Sequence, residues 1–498
     1  MGEDYVPGEI LVNNEPNQRN RPGTTKSART RMDGSADALI RAAFVERYSR
    51  VRASALQSQI AATGLANLAI SHRVGTIPKN MNNKDYSWRS ASSTSGGGVQ
   101  QTRAWQQLNL ALFKGLLCFM LIATGDVMFG AAGLTNETAL CARALVSQGD
   151  WGRLQHEFAR AQKGENMVVG VIGGSITQGA AASSPENRYG NLVASWWRET
   201  FPKAKVTFIN AGIGATGSDY GALRVQRDLL SHKPDFVIVE YAVNDGNTQA
   251  SAETLEGLLR QILKQPNHPA VVMLFMMNQR GGNAQEWFAK VGDHYGLPMI
   301  SYRDSLWAEI QAGRMTWRDI SPDEVHPNDR GHAYAARFVT SLLDQARKTL
   351  PADDALPRVP DPPTPRFTDL FEHTALIEAD LLKPTTNSGW SLESKSHCWK
   401  SDQPGSRIEF GIEGRVIFTM HYVVKGPMGR AKVSVDGKAA TDLEGWFDQT
   451  WGGYRQTRQV AQALAPGKHR VCFEILPEKS HGSTGHEFRI LGLGCAGN

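Results

Sequence analysis

The sequence predicts a three-layer α/β domain, a parallel sheet flanked by helices, followed by a C-terminal β-sandwich. Two observations favour this arrangement. Between residues 167 and 302 short unbroken apolar runs alternate with helical patterns, and after residue 366 the hydrophobic period drops to two. Unbroken apolar strands are typical of a parallel sheet covered on both faces, whereas alternating strands line a sheet with one buried face.

Individual elements follow from these patterns. The predicted parallel strands are Met167–Ile172, Val206–Ile209, Phe236–Val239, Ala270–Phe275 and a weaker Met299–Tyr302. A helical period between Ala252 and Leu263 fits one of the connections between them. In the C-terminal part, residues 415–420 and 432–438 alternate as strands do, and Asp436-Gly437 has the chemistry of a hairpin turn.

The remaining segments differ in composition from these domains. The predicted boundaries are a polar leader at 1–113, a signal-peptide-like segment at 114–133, the α/β domain at 134–350, a linker with six prolines at 351–366 and the sandwich at 367–498. The second segment has a basic residue, an apolar run and small residues in the order of a secretory signal, with a buried helix or a membrane anchor as the alternative. We therefore expect a downstream start of translation, a leader that is disordered or never translated, and a secreted or periplasmic protein.

Composition and charge exclude several classes of protein. Hydrophobic residues make up 41% and charged residues 21%, which excludes wholesale disorder, and no apolar run has the length that a multi-pass membrane protein needs. The net charge of +5 arises in residues 1–114, with 15 basic and 8 acidic side chains, whereas the rest has 39 and 41. A nearly neutral body argues against nucleic acid as a partner.

Cysteine usage leaves two interpretations open. The cysteines beyond the signal-like segment are Cys141, Cys398, Cys472 and Cys495. Four cysteines in an exported chain are compatible with one or two disulfides, and four buried free thiols are equally compatible. No pair has the spacing of metal ligands, so the sequence predicts no structural zinc site.

A glycine-rich turn marks the first candidate site. The first strand runs directly into Gly173-Gly174-Ser175, at the carboxyl end of a parallel strand, where α/β sheets place their active sites. The helix predicted after Ser175 would direct its N–H groups and dipole at that residue, which suits a developing oxyanion. A phosphate-binding turn or a plain tight turn is the alternative.

A second motif near the end of the α/β domain supplies a histidine. Asp323 precedes His326 by three residues and can reach its Nδ1 within one loop, which leaves Nε2 free to take a proton from a serine hydroxyl. The alternatives are a surface turn, or a metal site formed by Asp323, His326 and His332.

Two further loops follow the second and third predicted strands. Small residues at 210–217 allow backbone N–H groups to approach a substrate, and Asn244 supplies an amide donor at the end of its strand. A side-chain amide and backbone N–H groups aimed at one point form an oxyanion hole. An Asn-Asp pair such as Asn244-Asp245 can also simply cap a helix or shape a turn.

Together these motifs resemble those of the SGNH hydrolases, also called GDSL-type esterases, over residues 168–339. The resemblance implies a flavodoxin-like α/β fold. It also implies a catalytic set of Ser175, Asp323 and His326, with Asn244 as side-chain oxyanion donor. The Asp-x-x-His-Pro segment is its most specific part.

The resemblance also implies backbone oxyanion donors. By spacing from Asn210 they are the N–H groups of Ser175 and Ala215, with Gly214 adjacent. Alanine stands at 215 where the family has glycine, and because a backbone N–H survives this change, the role can persist if the local backbone does not require a positive φ. The family's Gly-Asp-Ser-Leu reads Gly-Gly-Ser-Ile here, and Ala242 replaces the glycine of Gly-x-Asn-Asp.

These features predict an exported serine esterase of carbohydrate-esterase type that removes acyl groups, with acetyl favoured, from a polysaccharide or oligosaccharide. The chemistry needs no metal or organic cofactor, and the mature chain is expected to have no membrane span. The alternatives are a lipid or aryl esterase of the same fold, a sugar O-acetyltransferase and a non-catalytic glycan-binding protein.

Aromatic residues in the C-terminal part are candidates for substrate contact. We expect Trp446, Trp451 and Tyr454 to stack on sugar faces, because exposed rings supply large apolar area at low entropy cost. The alternative is that these rings fill the core of the sandwich or its seam with the α/β domain.

Overall fold

The structure of the chain, a computed structural model, describes residues 136–350, 359 and 361–497. The predicted leader at 1–113 and the signal-like segment at 114–133 lie outside the described residues. Most of the Pro-rich linker does so too. Within the described parts, no helix combines the length and the apolar character that crossing a membrane requires.

Residues 136–350 contain a six-stranded sheet with the order β3-β2-β4-β5-β6-β1. Its strands are β1 (Leu145–Ser147), β2 (Met167–Gly173), β3 (Val206–Gly212), β4 (Phe236–Glu240), β5 (Ala270–Phe275) and β6 (Met299–Ser301). Strands β2 to β6 are parallel, as predicted, but β1 pairs with β6 in the antiparallel direction, so the sheet is mixed. The sequence did not reveal β1 because three partly exposed edge residues produce no apolar run.

Helices cover both faces of this sheet. They are α1 (residues 136–144), α2 (Gly152–Gln162), α3 (Ser175–Gln178), α4 (Tyr189–Thr200), α5 (Ser218–Asp228), α6 (Gln249–Leu263), α7 (Gln285–His294), α8 (Tyr302–Gln311) and α9 (Asp329–Lys348). Alternate residues of one strand enter opposite cores: Val169 and Val171 face α2, α4 and α9, whereas Val168 and Ile172 face α5 and α6. This explains why the strands read as continuous apolar runs.

Strand order determines where a site can form. The chain passes from β2 to β3 at one side and then continues to β4 on the other side of β2. A crevice opens outside the carboxyl ends of strands at such a switch point. Ser175 follows β2 and Asn244 follows β4, so both lie at this crevice.

Within residues 361–497 eleven strands form two antiparallel sheets, as the prediction of a β-sandwich required. They are β7 (Thr374–Glu378), β8 (Pro384–Ser388), β9 (Ser391–Glu393), β10 (Cys398–Ser401), β11 (Arg407–Glu413), β12 (Val416–Val423), β13 (Arg430–Val435), β14 (Lys438–Glu444), β15 (Tyr454–Ala461), β16 (Lys468–Ile475) and β17 (Phe488–Ala496). One sheet has the order β15-β12-β17-β10-β9, with β7 also on β17, and the other β14-β13-β16-β11-β8. Asp436 and Gly437, both at positive φ, make the predicted hairpin turn.

A seam joins the sandwich to α5. Tyr220 and Leu223 of α5 pack in one apolar cluster with Phe418, Met420 and Leu491 on the outer face of the first sandwich sheet. Because α5 begins just after the loop that follows β3, this contact reaches to the edge of the crevice.

A buried carboxylate fixes the chain as it enters the sandwich. Glu256 of α6 accepts the backbone N–H groups of Phe367 at 2.9 Å and Thr368 at 3.1 Å. The end of the linker is therefore held against the α/β domain. Of the two interpretations of the cysteines, the structure agrees with buried thiols, since Cys141, Cys398, Cys472 and Cys495 are all buried and no disulfide joins any two of them.

Candidate active site

The structure brings the three side chains predicted for catalysis into one hydrogen-bonded chain. His326 Nε2 lies 2.8 Å from Ser175 Oγ, and His326 Nδ1 lies 2.8 Å from Asp323 Oδ2. Ser175 comes from the end of β2, whereas the other two come from the loop before α9. In this geometry the imidazole can donate from Nδ1 to Asp323 and accept the serine proton at Nε2.

Local hydrogen bonds orient the carboxylate of Asp323. Its Oδ1 accepts the backbone N–H groups of Val325 and His326, each at 2.7 Å. Partial burial acts to raise the pKa of Asp323, but these N–H groups and the His326 side chain outweigh it and hold the pKa below its usual range. The carboxylate therefore stays ionised where a histidine titrates.

Two residues that sequence analysis missed support the same loop. The hydroxyl of buried Ser321 lies 2.9 Å from the carbonyl oxygen of Asp323 and 2.7 Å from that of His326. Trp317 Nε1 donates to the Asp323 carbonyl at 2.5 Å. Neither residue belongs to a recognisable motif, so only the folded loop reveals their contribution.

Ser175 begins a single helical turn, α3, which ends at Gly179 with a φ of 103°. A helix does begin at Ser175, but it is only one turn long, and the next α-helix begins only at Tyr189. One turn aligns too few peptide dipoles to matter. Stabilisation of an oxyanion must come from individual N–H groups and side chains instead.

Asn244 lies against the turn that carries Ser175. A Cβ on Gly174 would lie 2.2 Å from Asn244 Oδ1 and 3.2 Å from its Nδ2, so the close approach requires glycine. Strands β2 and β4 are direct neighbours, with Gly173 paired to Glu240, and this aligns their ends. The structure thus brings the predicted amide donor next to the predicted nucleophile.

The loop after β3 contacts the same turn. A Cβ on Gly214 would lie 3.8 Å from Ser175 Cβ, and Thr216 Oγ1 closes the loop by donating to the carbonyl of Ile213 at 2.7 Å. Ala215 has a φ of 56°. This position therefore does require a positive φ, and alanine is held there at a cost of about 1–2 kcal/mol.

Known proteins share this architecture. A model of the GDSL-like lipase/acylhydrolase family matches residues 171–334. The crystal structure of a two-domain esterase active on acetylated mannans is 32% identical to this chain and superposes with a TM-score of 0.67, covering 72% of this chain and 98% of that one. The chain belongs to the GDSL-like lipase/acylhydrolase family. It is a carboxylic ester hydrolase.

Two curated relatives of this GDSL hydrolase match a smaller part of it. An acetylxylan esterase of Geobacillus stearothermophilus is 27% identical over 204 residues, covering 35% of this chain and 91% of the relative. Thioesterase 1/protease 1/lysophospholipase L1 of Escherichia coli (strain K12) is 23% identical over 193 residues, covering 37% and 86%. Both relatives therefore match far less of this chain than the two-domain esterase does.

Three carboxyl groups with raised pKa values lie beneath the site of this GDSL hydrolase. Glu240, at the end of β4, is completely buried, and burial raises its pKa to about 8. Burial and the neighbouring Asp219 raise the pKa of Asp245 to about 7, and burial raises that of Asp219 to about 6. The sequence does not reveal these shifts, because the groups that meet in the fold, such as Asp245 and Asp219, lie on different segments of the chain.

We expect the thermal stability of the enzyme to fall as the pH rises from about 4.5 to 8. In that window unfolded Glu240 has lost its proton, whereas the folded state retains it, so each pH step favours unfolding. Glu240→Gln should flatten this dependence and raise the Tm at pH 8–9 by a few degrees, since 1 kcal/mol is worth roughly 2–4 °C. Melting curves at pH 5 to 9 measure this, with Glu324→Gln as the exposed control. Parallel curves for wild type and Glu240→Gln would contradict it.

His332, considered as a metal ligand with Asp323 and His326, belongs to the interior instead. Its Nε2 lies 3.3 Å from the carbonyl of Ala180, and the backbone N–H of Tyr189 points at its Nδ1 from 3.4 Å. Burial lowers its pKa to about 4, so the ring stays neutral. Both nitrogens are engaged by the protein, which favours a packing role.

The aromatic residues proposed for substrate contact separate into two groups. Trp451 and Tyr454 lie with Phe447 in one cluster whose ring centroids are 5.1–5.6 Å apart, and Trp451 is 62% exposed. Trp446 instead packs against Gly482, where a Cβ would lie 2.3 Å from its ring. The structure thus brings Phe447, which sequence analysis missed, into the cluster and leaves Trp446 outside it.

Proposed function

We propose that this GDSL hydrolase is an exported serine esterase that removes acetyl groups from a polysaccharide. The observation that carries the proposal is the chain of hydrogen bonds from Asp323 through His326 to Ser175. The activity of the 32%-identical esterase on acetylated mannans, and the name of the acetylxylan esterase, support an acetylated glycan as substrate. The descriptions of these two esterases both name an acetylated glycan.

In the first half of the proposed reaction Ser175 Oγ attacks the ester carbonyl carbon while its proton passes to His326 Nε2. Asp323 Oδ2 accepts the Nδ1–H bond and stabilises the imidazolium that forms. The negative charge on the carbonyl oxygen is held by the Asn244 amide and by backbone N–H groups of Ser175 and of the loop at Gly214 and Ala215.

The imidazolium next protonates the sugar oxygen, and the C–O bond to the deacetylated glycan breaks. Water then enters, gives a proton to His326 Nε2 and attacks the acetyl group on Ser175. Collapse of this second intermediate releases acetate and returns the proton to Ser175 Oγ. Every proton transfer in the reaction thus passes through Nε2 of His326, while Asp323 keeps the ring in the required tautomer.

The exposed aromatic cluster is the proposed place where a polysaccharide continues beyond the scissile ester. Trp451 and Tyr454 offer ring faces on which a sugar can stack. Tyr454 adjoins Arg455, whose guanidinium lies 5.2 Å from the ring of Tyr220 at the start of α5. This contact supports a course for the substrate along the seam between the α/β domain and the sandwich.

Export is the remaining element of the proposal. It is supported by the signal-like pattern at 114–133. N-terminal sequencing of the native protein is the test. A mature chain that begins near residue 134 would support export, and one that begins near Met1 would contradict it.

A screen for acetate release tests the substrate. Acetylated mannan, xylan, pectin and chitin are compared with p-nitrophenyl esters of two to twelve carbons, using Ser175→Ala as the blank. We expect release from at least one polysaccharide and a preference for the acetyl ester. A preference for long acyl chains would favour a lipid esterase. Acetyl transfer to a sugar that is faster than hydrolysis would favour a transferase. Binding of a glycan without turnover would favour a non-catalytic protein.

Asn244→Ala tests the proposed oxyanion donor. We expect kcat to fall by roughly 10²-fold with little change in KM, because the amide acts on charge that develops only in the transition state. Asn247→Ala, an exposed amide three residues further along the same loop, is the matched control and should have little effect. Steady-state kinetics on p-nitrophenyl acetate measure both. An equal loss in the two variants would contradict the assignment.

A further inference from the structure

A buried arginine lies directly behind the predicted nucleophile. Arg224 of α5 is completely buried, and its Nη2 donates to the backbone carbonyl of Gly173 at 3.2 Å and to the Tyr241 hydroxyl at 3.0 Å. Gly173 ends β2 two residues before Ser175. Burial of a guanidinium group destabilises the folded state unless the charge is paired. The presence of Arg224 at this strand end therefore suggests a role other than stability.

The carbonyl of Gly173 is a junction between two parts of the site. It accepts both Arg224 and the backbone N–H of Ile213, the latter at 3.1 Å. Ile213 opens the loop that continues to Gly214 and Ala215. One carbonyl therefore ties the turn that carries Ser175 to the loop that supplies the proposed backbone donors.

From Arg224 a chain of ion pairs leads out to the sandwich. Its Nη1 donates to Asp228 Oδ2 at 3.0 Å, and Asp228 Oδ1 accepts Arg227 Nε at 2.5 Å. Arg227 Nη1 then donates to Glu378 Oε1 of β7 at 2.7 Å. The other oxygen of Glu378 accepts Arg455 Nη1 of β15 at 3.0 Å. Glu378 therefore joins two strands of the sandwich to α5.

The ring of Tyr220 contacts the arginines at both ends of this series of ion pairs. The guanidinium of Arg455 lies 5.2 Å from the ring centroid of Tyr220, and that of Arg224 lies 5.6 Å from the same centroid. Both distances are within the range of cation–π attraction. The buried positive charge of Arg224 is thus balanced by Asp228 within α5, whereas Glu378 of the sandwich balances Arg227 and Arg455, which contact the same group of residues.

We infer that Arg224 is a positioning residue for the nucleophile turn and that the sandwich holds it in place through Glu378. The inference rests on the proposed role of Ser175. It means that the C-terminal module contributes to catalysis itself, through an ionic connection that ends on the carbonyl two residues before the nucleophile. Loss of the Glu378 charge leaves Arg227 bound to Asp228 alone, so that Arg227 competes more strongly for the oxygen that also accepts Arg224 and lets Arg224 shift away from Gly173.

Two variants and a matched control test this inference in the full chain. Arg224→Lys keeps the charge but cannot reach Gly173, Tyr241 and Asp228 together, and Glu378→Gln removes the charge at the seam. The control is Glu372→Gln. Glu372 also pairs across the seam, with Arg260 and Lys264 of α6, but within the described part of the chain no ion pair leads from there to the nucleophile turn.

We expect Arg224→Lys to lower kcat roughly tenfold and Glu378→Gln roughly threefold, with KM within about twofold of wild type. The rate of covalent labelling of Ser175 by a fluorophosphonate should fall in parallel. Glu372→Gln should lower the melting temperature about as much as Glu378→Gln does but leave kcat within about twofold. A merely structural contact would instead lower stability and kcat alike in both seam variants.

The double variant Arg224→Lys/Glu378→Gln decides whether Glu378 acts through Arg224. If it does, the double variant has the kcat of Arg224→Lys alone, whereas independent effects multiply. Multiplied losses, or a kcat in Glu378→Gln equal to that in Glu372→Gln, would overturn the inference. The second comparison holds even where Arg224→Lys fails to fold. If Ser175→Ala retained activity, the proposed function would fail instead, since that variant leaves the network intact.

Discussion

Ser175→Ala should lower kcat for acetyl esters by roughly 10⁶-fold while the fold remains intact. The hydroxyl is the group that forms the proposed acyl-enzyme bond, and no other oxygen nucleophile in the described residues is within hydrogen-bond distance of His326 Nε2. Ser175 is partly exposed at the end of β2, so removal of one oxygen leaves no buried cavity. The melting temperature should therefore stay within about 2 °C of the wild type.

Steady-state hydrolysis and covalent labelling measure this effect separately. Wild-type enzyme should bind one fluorophosphonate per chain, and Ser175→Ala none. Ser183→Ala serves as the control, because its hydroxyl bonds to Asp329 at the same end of the sheet but does not contact His326. Retention of more than about one per cent of activity in Ser175→Ala would refute the assignment of the nucleophile.

Asp323→Asn should lower kcat by roughly 10³–10⁴-fold, with little change in KM. The amide keeps the size of the carboxylate but allows His326 to bond in the wrong tautomer, with Nε2 protonated and unable to accept the serine proton. The charge that stabilises the imidazolium is also lost. In the wild type the lowered pKa of Asp323 keeps this carboxylate ionised on mild acidification.

A variant of the neighbouring Glu324 and a chelator distinguish this mechanism from catalysis by a metal ion or by the general charge of the loop. Glu324 adjoins Asp323 in the chain, but its side chain is exposed, and its backbone carbonyl accepts Gln279 N at 2.8 Å. Glu324→Gln should therefore change kcat less than about twofold. A chelator should not affect the wild type. The serine mechanism would have to be abandoned if chelation abolished activity or if Glu324→Gln proved as harmful as Asp323→Asn.

The sequence predicted the parallel strands because each of them is buried on both faces. Runs such as residues 167–172 and 270–275 stay apolar through six positions, and no exposed strand can do so. β1 has the opposite character: three residues at a sheet edge contribute almost nothing to the pattern. Short, partly exposed strands of the sandwich such as Ser391–Glu393 are invisible for the same reason.

The candidate site divides in a similar way. Asp323 and His326 lie within one loop, so their contact follows from a spacing of three residues. The contribution of Arg224 could not be predicted, because Gly173 and Glu378, which connect it to the turn and to the sandwich, lie 51 and 154 residues away in the chain. Its position in a helical pattern indicates only an ordinary surface charge.

By itself, therefore, the sequence determined the α/β class, the order of the site motifs along the chain and the residue types for ester chemistry. The tertiary structure alone decided that Ala215 is strained, that Glu240 is buried beneath the nucleophile and that Trp446 lies outside the aromatic cluster. The physical reason is the distance along the chain over which each interaction acts. Periodicity and turn chemistry act between neighbours, whereas burial, pKa and charge pairing depend on segments that meet only when the sheet order is established.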